Sequence, residues 1–133
     1  MGTPEFFDAS TSSFTNLVDV FAGRETPIPA AELASTAVRV HHSAPDGLQL
    51  FELRLEPGTR GESHAHVENE IIVVVEGELH FGRRVCGPGA SLFIPGRTLY
   101  GFRAGPDGCR YLNFRARADS TFFTKEDIVD ARA

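Results

Sequence analysis

Residues 58–77 read GTRGESHAHVENEIIVVVEG. His64 and His66 stand two apart, so on an extended strand both imidazoles point to the same face. Glu70 keeps that parity and opens an apolar run, Ile71–Val75. Two imidazoles and one carboxylate converging on one point are the donor set of a first-row metal site with open positions. A lone His-x-His is most often a solvated or hydrogen-bonded pair. Three ligand-type residues on one face, ahead of a strongly apolar strand, are far less often accidental.

The stretch resembles the first motif of the cupins: Gly, five residues, His-x-His, three residues, Glu, six residues, Gly. Gly58, His64, His66, Glu70 and Gly77 match it without a gap. The second cupin motif matches in part. Gly89 and Pro95 are in place. Arg97 stands where a glycine is expected, with Gly96 one position early. Tyr100 stands where the fourth ligand, a histidine, is expected, and Ala104 where an asparagine is. The resemblance covers about residues 48–115. It implies an all-β fold, a cupin-type jelly-roll β-barrel with a short N-terminal helix. It also implies one divalent transition metal (Fe, Zn, Mn, Co or Ni) on His64, His66 and Glu70.

The rest of the chain is consistent with one such domain. Its 133 residues suffice for one core, and 41% hydrophobic with 23% charged residues is ordinary for a globular protein. A net charge of -5 argues against a general nucleic-acid binder. No apolar run reaches the ~20 residues that span a bilayer. The start, MGTPEFFDAS, lacks the apolar core of a signal peptide, and Phe6 breaks the myristoylation pattern after Gly2. A cytoplasmic location is expected, without nucleic acid or membrane as partner. Cys86 and Cys109 are expected to be reduced and semi-buried.

Three regions are expected: residues 1–35, a helix and extended arm packed on the barrel; 36–118, the barrel; and 119–133, a tail. Phe14, Leu17, Val18 and Phe21 recur at helical spacing, with Ser12 or Ser13 as N-cap and Gly23 as stop. Residues 24–34, with Pro27 and Pro29, read as an extended connector. Short strands follow from Thr36. In residues 48–56, Phe51, Leu53 and Leu55 share one face, with Glu52 and Arg54 on the other. Five β-branched residues at Ile71–Val75 suit a strand buried on both faces. Further strands are expected at 77–83, 91–94, 100–103 and 110–115, and the tail from Lys125 as a short helix or frayed end.

Tyr100 has three readings: a weak fourth ligand, a proton-transfer group beside metal-bound water or substrate, or a core residue. Glu62 and Asn69 are candidate hydrogen-bond partners for the histidines, with water-facing turn residues the plainer reading. His41, His42 and His80 read as surface or satisfied histidines before ligands, although adjacent His41 and His42 should face opposite sides of a strand. Arginine greatly outnumbers lysine, whose one instance is Lys125. Arg54 and Arg97 are the candidate substrate contacts. Phe51, Phe81, Phe93, Phe102 and Phe114 form either a pocket wall or core.

The expected function is a metal-dependent enzyme on a small, carboxylate-bearing organic substrate. It would work by Lewis-acid lyase or isomerase chemistry or by Fe-dependent dioxygenation. The alternatives are a non-catalytic small-molecule or metal-binding cupin with a degenerate second motif, and a metal-free cupin using His and Tyr for proton transfer. A homodimer is expected, through an edge strand and the segment around Phe6, Phe7 and Phe14.

Overall fold

The computed structural model describes residues 2–45, 47–119, 121–124 and 127. After a 3-10 turn at Ala9–Thr11 come β1 (Thr15–Asn16), α1 (Leu17–Phe21) and α2 (Ala30–Ser35). The strands that follow are β2 (Thr36–Ser43), β3 (Gln49–Leu55), β4 (Arg60–Ala65), β5 (Glu70–Phe81), β6 (Arg84–Cys86), β7 (Ser91–Ile94), β8 (Tyr100–Arg115) and β9 (Phe123–Thr124). All pairings among them are antiparallel, in one nine-stranded sheet folded into a jelly roll.

The long strand β8 organises the barrel. Its C-terminal half pairs with β3 and β5 on either side, and its start pairs with β4. Segments 100–103 and 110–115 are therefore one strand, not two. Gly108, at φ 82°, bends the chain through Gly105-Pro106-Asp107 without ending it. In the same way 71–75 and 77–83 merge into β5, with register shifts between Val74 and Glu76 and between Gly77 and Leu79.

Three local expectations are corrected. Ile71–Val75 is buried on one face only. Ile72 and Val74 enter the core, whereas Ile71 and Val75 remain 40% and 37% exposed. The strand lies in a barrel wall rather than between two layers, so alternate residues meet solvent. The first helix begins at Leu17, capped by the Asn16 side chain, and Phe14 lies outside it. Ser12 and Ser13 precede β1 and cap nothing there. It stops at Ala22, in the left-handed region at φ 48°, with Gly23 next. Finally, the 24–34 connector contains α2, which begins directly after Pro29 because proline suits a helix start. The expected tail from Lys125 lies, apart from Asp127, outside the described residues.

The core comprises Leu55, Ile72, Val74, Leu79, Cys86, Ile94, Ala104, Cys109 and Tyr111. Both cysteines are buried and unpaired, and burial pushes the Cys109 thiol up to about 11. On the outer face of β3, Glu52 is only 2% exposed. Arg39 binds it through two bonds of 2.9 Å, with His41 at 2.7 Å and Arg110 at 2.8 Å. The N-terminal arm closes over this cluster. Phe7 stacks on His41, Arg39 donates to the Ser12 carbonyl, and Phe14 lies under both Arg39 and Arg54 at 4.3 Å. Cation–π contact and the buried carboxylate thus tie the arm to the barrel.

Candidate metal and substrate site

Strand β4 carries His64, His66 follows directly after it, and β5 begins with Glu70. The two rings meet edge to face, with centroids 4.8 Å apart. Both line a cavity of about 150 Å³, together with Tyr100, Phe51, Phe102, Asn113 and Arg115. The cavity shares Leu17, Ile28, Phe51 and Leu53 with a larger, mainly apolar groove of about 620 Å³ beneath α1.

Hydrogen bonding sets the state of each donor. His64 Nδ1 lies 2.6 Å from the Glu62 carbonyl, and His66 Nδ1 contacts the Thr121 carbonyl. A carbonyl can only accept, so both Nδ1 atoms carry the proton and both Nε2 lone pairs remain free. Burial lowers the pKa of His64 to about 4, and burial with the Arg115 charge lowers that of His66, so both rings are neutral at pH 7.

Glu70 is 2% exposed. Its Oε2 accepts from Asn113 at 2.6 Å and Arg115 at 3.0 Å, while buried Oε1 has no partner among the described residues. Burial alone would raise its pKa. Arg115, the adjacent Tyr100 hydroxyl and Asn113 outweigh that and hold the carboxyl ionised. Tyr100, its ring 4.5 Å from that of His64, is shifted up by burial and then by the Glu70 charge, so the phenol keeps its proton.

Two imidazole nitrogens and one orphaned carboxylate oxygen suit a divalent first-row ion by donor chemistry. As the side chains stand, no three His, Cys, Asp or Glu groups converge tightly enough to hold an ion together among the described residues. Arg115 and Asn113 hold the other oxygen of Glu70.

The other sequence candidates lie elsewhere. Arg54 is on the outer face against Phe14, and Arg97 is exposed in the turn after β7. Arg97 adopts φ 63° where the motif expects glycine, and its N–H donates 2.6 Å to the His66 carbonyl. Gly96 lies so close to the Val67 carbonyl that a Cβ there would overlap it, and its N–H donates to Asn69. Asn69 thus supports the turn rather than a histidine, and Glu62 serves His64 through its backbone. Neither His41 nor His42 lines the cavity: His41 serves Glu52, and exposed His42 lies 3.6 Å from Glu5. A bulge between Val40 and His42 breaks the simple alternation. Phe51 and Phe102 reach the cavity, Phe81 packs on Phe102, and Phe93 is 60% exposed.

Sequence reasoning missed Arg115, Asn113 and Phe122. Arg115 and Asn113 sit two apart on β8, a same-face spacing visible in the chain, but their meeting with Glu70 depends on strand pairing. Phe122 stacks on His64 at 4.4 Å, and β9 pairs with β4. Asp119 accepts from the Glu68 N–H and the Thr121 hydroxyl, and Thr121 accepts from the Val67 N–H. The segment after the barrel therefore closes one side of the site.

No protein-family model matches the sequence, and no curated protein matches it. Solved structures do. The polyketide cyclase RemF from Streptomyces resistomycificus superposes with a TM-score of 0.69 at 21% identity, over 98% of this chain and 94% of that one. KdgF from Halomonas sp. gives 0.66 at 21%, over 87% and 96%. An RmlC-like cupin from Shewanella frigidimarina gives 0.65 at 19%, over 87% and 93%. The chain has the cupin fold. No helix among the described residues is long and apolar enough to cross a membrane.

Proposed function

We propose that this protein is a metal-dependent cupin enzyme acting on a small organic molecule with an apolar body and a carbonyl or carboxylate oxygen. The carrying observation is the hydrogen bonding of the histidines. Both Nδ1 atoms are committed to backbone carbonyls, which leaves two Nε2 lone pairs free in one cavity, and Glu70 at the start of β5 has one buried oxygen without a hydrogen-bond partner among the described residues. His64, His66 and Glu70 would hold the ion. When bound, it would supply Lewis acidity at a substrate oxygen.

The chain's own groups define the remaining chemistry. Tyr100 offers a phenolic O–H to a substrate oxygen, so its role is hydrogen-bond or proton donor rather than ligand. The apolar groove under α1 accommodates the body of the substrate and excludes water around it. These elements suit a cyclase, lyase or isomerase step, and a polyketide cyclase among the structural neighbours is in keeping with that reading. The Arg115–Glu70 pair at 3.0 Å favours a second reading, a non-catalytic binding cupin, because it neutralises the one anionic donor.

Metal analysis after reconstitution with Co(II), Mn(II), Fe(II), Ni(II) or Zn(II) tests the proposal. About one ion per chain is expected, lost in His64→Ala and retained in Tyr100→Phe. Protein that takes up none of these ions refutes the metal-dependent mechanism.

The homodimer also remains a proposal. Phe7 and Phe14 are spent inside the chain, which leaves Phe6 at 93% exposure. Exposed Ile71 lies directly across from Phe93 on β7, with Val75 further along, giving a second apolar surface. Light scattering should return twice 14.5 kDa, and a mass of one chain would exclude the pairing.

A further inference from the structure

Two arginines and a histidine form one row across three neighbouring strands. Arg60 on β4 stands opposite Arg103 on β8, and Arg103 stands opposite His80 on β5. Like charges directly opposite one another destabilise a sheet. The chain has 18 acidic residues against 13 basic ones, so neutralising partners are plentiful. Arg39, Arg110 and Arg115 each have a carboxylate partner. Among the described residues, neither Arg60 nor Arg103 has one, and Glu78 is engaged with His80 at 3.3 Å.

The row borders a recess of about 480 Å³ that also includes the Ser63 side chain. Gly61 and Gly101 also line it, with the Phe102 ring packed against Gly61 and the Ser63 hydroxyl against Gly101. The recess is separate from the histidine cavity, and Phe102 is the residue common to both.

We propose that this recess binds a tetrahedral oxyanion, a phosphate or sulfate group, held by the guanidinium groups of Arg60 and Arg103. Planar guanidinium forks match oxyanion oxygens in bidentate fashion, and the bound charge relieves the repulsion along the row. Ser63 and His80 supply further polar contacts at the rim. The recess exceeds one oxyanion in size, so it also has room for the body of a small molecule that carries the group. This inference does not depend on the metal-site reading.

Isothermal titration with inorganic phosphate and with phenyl phosphate, at ionic strength matched with NaCl, tests it. Saturable one-site binding is expected, weakened about tenfold or more in Arg60→Gln or Arg103→Gln and lost in the double variant. The double variant should melt no lower than the native protein, since it removes a like-charge pair. Tighter binding of phenyl phosphate would identify an esterified ligand, and equal binding the free ion; either upholds the site. Absence of saturable binding, an equal response to chloride, or unchanged affinity in a folded double variant overturns it.

Discussion

Replacing Glu52 with alanine is expected to destabilise the protein by about 3–5 kcal/mol, the cost of stranding the partners of a buried ion pair. The carboxylate is 2% exposed and satisfies Arg39, His41 and Arg110 at once. Without it, two guanidinium groups face each other beneath the N-terminal arm, and the Phe7 and Phe14 contacts lose their anchor. Burial opposes ionisation of Glu52, but its three partners overcome that and bring its pKa down from 4.5 to about 2. A carboxylate with a lowered folded-state pKa contributes stability above its ordinary pKa, and that contribution fades as pH falls through the folded value. The stability gap between native protein and Glu52→Gln should therefore be constant above about pH 5 and shrink between about pH 4.5 and pH 2. Urea unfolding at several pH values measures it. Glu76→Gln is the control. Glu76 also bonds Arg110, at 3.2 Å, but its side chain is 75% exposed, so the change should cost under about 1 kcal/mol. A pH-independent gap for Glu52→Gln would show that packing, not charge, holds the cluster.

Gly77→Ala should cost a similar amount for a different reason. Gly77 adopts φ 73°, where a Cβ costs about 1–2 kcal/mol. An added Cβ would also overlap the carbonyl of Gly108 on the paired strand, and backbone cannot yield as a side-chain tip can. Together these terms reach about 2–5 kcal/mol, a large share of the ~5–15 kcal/mol that holds a domain folded. Thermal melting of Gly77→Ala against Gly58→Ala checks it. Gly58 has a similar φ of 71° but open space around its Cβ position, so it should suffer the conformational cost alone. Equal losses at the two sites would remove close strand approach as the reason for glycine at 77.

Pattern strength decided how far the chain could be read. The run 58–77 was legible because His-x-His, Glu and flanking glycines carry both spacing and chemistry, and the cavity that His64 and His66 share follows from period-two geometry. The extents of β5 and β8 were not. Glycines at 77, 105 and 108 read locally as strand ends, yet in the barrel they bend continuous strands. The double burial expected of Ile71–Val75 failed because β-branched residues signal a strand, not which of its faces is covered. Short-range helical spacing located α1 but not its cap, since Asn16 also belongs to the two-residue strand β1.

The sequence by itself determined the β class, the spacing that marks His64, His66 and Glu70 as candidate ligands, and the replacement of the expected fourth histidine by Tyr100. These depend on neighbours a few residues apart, where backbone periodicity is enough. Only the tertiary structure decided what surrounds them: Arg115 and Asn113 on one oxygen of Glu70, the Thr121 carbonyl that orients His66, and Phe122 stacked on His64. Those partners lie 43 to 58 residues away along the chain. Strand register and the return of the chain onto β4 bring them into contact, and both are set by packing of the whole barrel rather than by any local run of residues.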